Sequence, residues 1–251
     1  MTVFLCEDSF DGILSGIFDA YASKMDLDDC RLELEKQYEP TLFAEYRNVQ
    51  TEAWKAERVA AKIRNDMSGQ AYMRLYRAAL HHSPERADWI FRFIRLGLQY
   101  KRHVVSMLQE PAVYEIFQMD RNVGREACFF REMARFECLK NDIYYCKVGP
   151  VNQVLELIAE HFVERFPDMN WIIYDENHHS AAFHSQRGWL IHHGISESDI
   201  NKLTDESGAD IYVDLWKVFF KTIAIEERKN EPCQKNRLPF RYRKYMVEFQ
   251  E

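Results

Sequence analysis

The chain has 251 residues, of which 47% are apolar and 14% aromatic, with 9 Gly and 7 Pro. That composition excludes a disordered, collagenous or low-complexity chain, and the length suits one large domain or two small ones. The formal net charge of −7 is unevenly spread: residues 1–40 carry −7, 51–104 carry +6, 105–216 carry −10 and 217–251 carry +4.

Two basic islands therefore sit in an acidic chain. Local field, not total charge, attracts a polyanion, so a nucleic-acid partner stays open. Equally, each island can be a solvated helix face paired with the acidic segments. No apolar run approaches the ~20 residues that span a bilayer. The opening Met1–Asp8 turns acidic at once and lacks the basic flank of a secretion signal. The six cysteines form no C-x-x-C pair, so the expectation is reduced thiols in a cytoplasmic protein without a membrane segment.

In chain order, Thr2 to Leu5 reads as a strand. Asp8 or Ser9 then caps a helix, because Phe10, Ile13, Leu14, Ile17, Phe18 and Tyr21 recur at helical spacing. Leu32 to Glu35 alternates like a second strand. A helical block begins near Thr51 and is interrupted at Ser68-Gly69. Tyr72, Leu75, Tyr76 and Ala79 mark a second helix, Ser83-Pro84-Glu85 starts a third, and a break at Asn122-Val123-Gly124 divides two further helical stretches that end near Leu139.

Period two returns at Ile143 to Val148, followed by a helix capped by Asn152 and ended by Pro167. Trp171 to Tyr174 reads as a buried strand. Ala181 to His184 and Trp189 to His193 form a hairpin in which His184 sits opposite Trp189, and Ser196 caps a short helix. The run from Ile211 to Ile223 is apolar almost all round, which predicts a buried helix with Trp216 and Ile223 in the core. Together these elements predict a single α+β unit over 1–251. It has a small, mostly antiparallel sheet, a helical insertion at about 51–138, and more helix than strand. Strand 2–5 is expected to join the sheet containing 143–148 and 171–174.

Phosphate loops, dinucleotide glycine patterns, H-E-x-x-H and G-x-S-x-G are missing from the sequence, which argues against the commonest nucleotide-binding and hydrolase classes. Six of nine histidines lie between 161 and 193, beside Asp175. Strand alternation splits His184 and His193 from His192, so no metal site and no cofactor are expected. His178 and His179, at a turn near Asp175, offer an acid–base alternative, since imidazole titrates near neutrality.

The C-terminal segment interleaves Arg228, Asn230, Gln234, Arg237, Arg241 and Arg243 with Phe240, Tyr242 and Tyr245. Arginines suit phosphates, aromatic faces suit unpaired bases, and amides suit base edges. In the competing reading, Phe240, Tyr242 and Tyr245 strap the tail onto the core while the cations face water.

The run from Leu215 through Lys229-Asn230, Gln234, Pro239 and Arg241-Tyr242 closely resembles the end of a bacterial family assigned to DNA metabolism or DNA repair. Arg135-Phe136, Tyr144-Tyr145, His161-Phe162, Arg165-Phe166 and Trp171 to Asp175 fit the same family. The resemblance covers roughly 120 to 251. It implies a cytoplasmic accessory protein that binds DNA, with Arg135 among the contacts, and that accompanies a radical-SAM partner. Longer relatives of that family carry an added domain similar to uracil-DNA glycosylase. Two other functions remain: an enzyme acting on nucleic acid or nucleotides through Asp175 and nearby histidines, or a non-catalytic scaffold.

Overall fold

The computed structural model describes residues 1–139, 142–204, 211–223 and 230–250. Its contacts divide the chain into two compact units, Met1–Arg125 and Glu126–Glu251. The class is α+β with helix exceeding strand, as the periodicities predict.

The first unit opens with β1 (Thr2–Cys6), α1 (Phe10–Ala22), β2 (Cys30–Leu34) and β3 (Glu45–Asn48). Next come α2 (Ala53–Asp66), α3 (Gly69–Ala79), α4 (Arg86–Tyr100) and the start of α5 (Pro111–Met133). The strands form a parallel sheet in the order β2-β1-β3, with Thr2 opposite both Cys30 and Glu45. All five residues of β1 are buried, as expected of a central parallel strand covered on both faces. Ser9 caps α1, its hydroxyl accepting from the Gly12 N–H at 3.0 Å. Gly16 lets that helix settle on the sheet, since a Cβ there would overlap the Cys6 sulfur. Ile13, Leu14 and Ile17 of α1 join Leu32, Leu34, Ile63, Phe91 and Phe93 in one core.

The basic island 51–104 is largely neutralised within this unit. Lys55 meets Asp19 and Glu52, Lys62 and Lys101 meet Asp66, and Arg74 and Arg77 meet Asp120. Arg86 pairs with Asp8, Arg92 with Asp88, and Arg95 with Asp28.

The second unit holds the end of α5, β4 (Glu137–Cys138), β5 (Ile143–Val148), α6 (Leu155–Arg165), β6 (Asn170–Asp175), β7 (Ser180–Ser185) and β8 (Gly188–His193). After these come α7 (Glu197–Thr204), α8 (Ile211–Thr222), α9 (Glu231–Arg237) and α10 (Phe240–Arg243). The sheet order is β4-β5-β6-β7-β8. β5 and β6 are parallel, with α6 as the crossover, and the other pairs are antiparallel. His184 does face Trp189 across the hairpin.

Five expectations are corrected. The sheets are one parallel and one mixed, not mostly antiparallel, and β1 belongs to a different sheet from β5 and β6. Parallel pairing joins distant segments, so local pattern could not assign partners. α5 runs through Asn122-Val123-Gly124 without a break. The stripe Val113, Ile116, Val123, Ala127, Phe130 is buried at helical spacing, and its packing outweighs the ~1 kcal/mol cost of an interior glycine. Asn152 does not cap α6; Val154 takes that place, and the Asn152 amide donates to Glu126 at 2.6 Å. α8 is a helix, but Trp216 is 39% and Ile223 56% exposed, so neither is a core residue. Leu215, Val218 and Phe219 are exposed as well; an apolar sequence predicts burial only where another element covers the face.

Candidate functional site

The end of β6 places two adjacent carboxylates in different surroundings. Asp175 is 1% exposed. Its Oδ1 accepts the backbone N–H groups of Asn177 (3.1 Å) and His178 (3.2 Å), an Asx turn that shapes the link to β7. Its Oδ2 lies 2.7 Å from His178 Nδ1. A buried carboxylate on Nδ1 fixes the ring orientation and favours the tautomer with its proton on that nitrogen, which makes Nε2 the basic atom. The sequence-predicted pair Asp175–His178 is thus brought together, whereas Arg135 is placed elsewhere.

His193 and His184 have other partners. The Ser180 hydroxyl donates to the His178 carbonyl at 3.0 Å, so its oxygen accepts from His193 Nδ1 at 2.9 Å. That polarity is opposite to an activated serine. His184 donates from Nδ1 to the Met169 carbonyl at 2.8 Å and stacks on Trp171, with ring centroids 4.9 Å apart. Among the described residues, no group of three His, Cys, Asp or Glu side chains could hold a metal ion.

Glu176 lines a charged cavity of about 200 Å³ with Arg135, Tyr145, Lys147, Lys244 and Tyr245. Its Oε1 accepts from Lys244 at 2.6 Å and Tyr245 at 2.5 Å, and its Oε2 pairs with Lys147 at 2.8 Å. Burial alone would raise the Glu176 carboxyl, but these three hydrogen bonds prevail and hold it at about 2. The Tyr245 phenol is pushed well above the usual tyrosine range, by burial first and by Glu176 second. Gly149 makes room for that phenol; a Cβ there would overlap its oxygen. Arg135 forks onto Glu248 (Nη2–Oε1 2.8 Å) and lies 5.6 Å from the centre of the Trp216 ring.

Besides the Lys244–Glu176 and Arg135–Glu248 pairs, two tyrosines anchor the tail. Tyr242 is 6% exposed and packs on Phe129 and Phe130, with centroids at 4.5 and 5.3 Å. Tyr245 meets Phe130 at 5.9 Å. Glu126, also buried, accepts the N–H groups of Val151 and Asn152 at 2.9 Å and lies 3.5 Å from the Tyr242 hydroxyl. Phe240 stays 62% exposed, with Arg243 4.6 Å from its ring centre. Arg237 and Arg241 are exposed and Arg243 half-buried. Arg241 donates to the Tyr242 hydroxyl at 2.8 Å, and Arg243 to the Leu238 carbonyl at 3.4 Å. Among the described residues, none of the three has a carboxylate within 4.0 Å. Gln234 is exposed, while Asn230 caps α9 by accepting from Cys233 at 3.0 Å. Arg228 lies outside the described residues.

Sequence reasoning missed Lys147 and Glu176. Lys147 is the one charged residue inside an otherwise apolar strand, and that irregularity was the available signal. Among the described residues, no helix is long and apolar enough to cross a membrane. A comparison with curated proteins finds no match. The model of a family described as a domain of unknown function, DUF4130, matches residues 84–248, and the chain belongs to that family.

Proposed function

We propose that this chain is an accessory protein of DNA metabolism or repair that binds nucleic acid through its C-terminal tail. The observation that carries the reading is the set Arg237, Arg241 and Arg243. Tyr242 and Tyr245 pin the surrounding chain, yet none of the three guanidinium groups is neutralised by a described carboxylate. Cations without a described counter-charge suit phosphates, and the exposed Phe240 ring beside Arg243 suits an unpaired base. The first island gives no such support, because eight of its cations already have acidic partners. In this reading the protein works in the cytoplasm beside a radical-SAM partner, which would supply any radical chemistry.

The test is DNA affinity across a salt series, for single and double strands. Each phosphate contact contributes roughly 0.7–0.9 to the slope of log affinity against log salt. The triple variant Arg237→Ala, Arg241→Ala, Arg243→Ala is expected to weaken binding and flatten that slope by about 2, with the melting curve kept. Wild-type protein with no affinity at low salt, alone or with the partner, refutes the reading.

The Asp175–His178 pair favours a second reading, in which this unit performs acid–base chemistry on a nucleic acid or nucleotide. The buried carboxylate orients the ring, so His178 would move the proton and Asp175 would position it. Asp175→Asn and His178→Gln that leave DNA turnover by the complex unchanged remove this reading.

A further inference from the structure

We propose that the first unit binds a small amphipathic carboxylate, its hydrocarbon chain lying in a groove between α1, α2 and α4 and its head group at Arg58 and Lys62. The site is distinct from the tail and does not depend on the nucleic-acid reading. The groove encloses about 370 Å³, within the range of small-molecule sites. Its floor is Ile17, Ile63 and Ile94, each no more than 2% exposed, with Phe18, Val59 and Leu98 along the sides. A cavity lined this way gains from any chain that excludes water from it.

The polar groups supply the head-group chemistry. Two charged residues line the groove, and both are cations. Arg58 and Lys62 are four apart on α2, so they project from one face a turn apart. Among the described residues, Arg58 has no carboxylate within 4.0 Å; its guanidinium lies 5.9 Å from the Phe18 ring centre, at the mouth of the groove. Lys62 pairs with Asp66 at 3.0 Å, but Asp66 also pairs with Lys101 at 2.6 Å. Lys62 can therefore turn to a ligand while Asp66 keeps a counter-ion. A neutral lipid would leave both cations unused, and a polyanion could not fill the apolar floor. A single carboxylate on a hydrocarbon chain satisfies both.

The experiment is calorimetric titration of the full chain with octanoate, decanoate and decanol, below their aggregation concentrations. Decanoate should bind saturably, and affinity should rise about fourfold per added methylene. Arg58→Ala with Lys62→Ala should weaken decanoate about tenfold and leave decanol unchanged. Both residues are exposed, so the double variant should keep the wild-type circular dichroism. Val59→Trp, which fills the groove, should abolish binding of both ligands. Absence of saturable decanoate binding overturns the proposal. So does decanoate affinity that the double charge variant leaves intact.

Discussion

Replacing Glu176 with glutamine keeps the side-chain shape and removes the charge that Lys147, Lys244 and Tyr245 share. The carboxyl sits at about 2 when folded, against an ordinary 4.5. Each unit of pKa is worth about 1.4 kcal/mol, so the fall from 4.5 to about 2 sets a ceiling of about 3.5 kcal/mol. The Glu176 side chain is 22% exposed, and its partners Lys147 and Lys244 are 38% and 60% exposed. Solvent screening at that exposure brings the expected value to about 1–2 kcal/mol. The folded pKa is depressed, so the stabilisation is complete above 4.5 and is lost as pH falls towards 2. Urea unfolding of wild type and Glu176→Gln, from neutral pH to about pH 2.5, measures this directly. The variant should be less stable by that amount at neutral pH, and the two curves should converge on acidification. Other carboxylates titrate equally in both proteins, so the difference isolates Glu176. A difference that persists unchanged to low pH would refute the shared-charge account.

The remaining predictions concern packing. Gly149→Ala should cost about 1–3 kcal/mol through overpacking against Tyr245, and Tyr245→Phe should cost far less in that background than in wild type; additive losses would contradict the contact. Trp171→Ala should cost about 3–5 kcal/mol in denaturant unfolding. Trp216→Ala should cost about 1 kcal/mol or less, because it loses surface contacts with Arg135 and Phe219; a cost as large as that of Trp171→Ala would place Trp216 in the core after all. Phe130→Ala should lower stability by about 3–5 kcal/mol and speed proteolysis within residues 230–250, since Tyr242 and Tyr245 both pack on that ring.

What was legible in the sequence was local. Ser9 capping α1, the strand Ile143–Val148 and the hairpin pairing His184 with Trp189 follow from side-chain period and turn chemistry within a dozen residues. β3 was missed because Glu45-Tyr46-Arg47-Asn48 carries no apolar alternation; its place is set by backbone pairing with β1. Asp175 and His178 were legible as candidates because both lie near one turn; their contact rests on the Asx geometry the structure shows there. The Glu176 cluster was not, because Lys147, Glu176 and Lys244 come from three separated segments. Exposure of α8 was equally hidden: apolar periodicity reports which residues can be covered and does not say that a neighbour covers them.

The central position of β1 bears on how the first unit comes to be made. Thr2 finds its partner Cys30 twenty-eight residues later and its other partner Glu45 forty-three residues later. At the usual ~5–20 residues per second of synthesis, the segment Val3-Phe4-Leu5 therefore waits for seconds, without either neighbour, after it emerges. Trimming an edge strand only frays a sheet. Deleting residues 2–6 here takes out the common partner of β2 and β3, which have no ladder with each other, so even a short truncation at this end should leave the first unit unable to assemble its sheet.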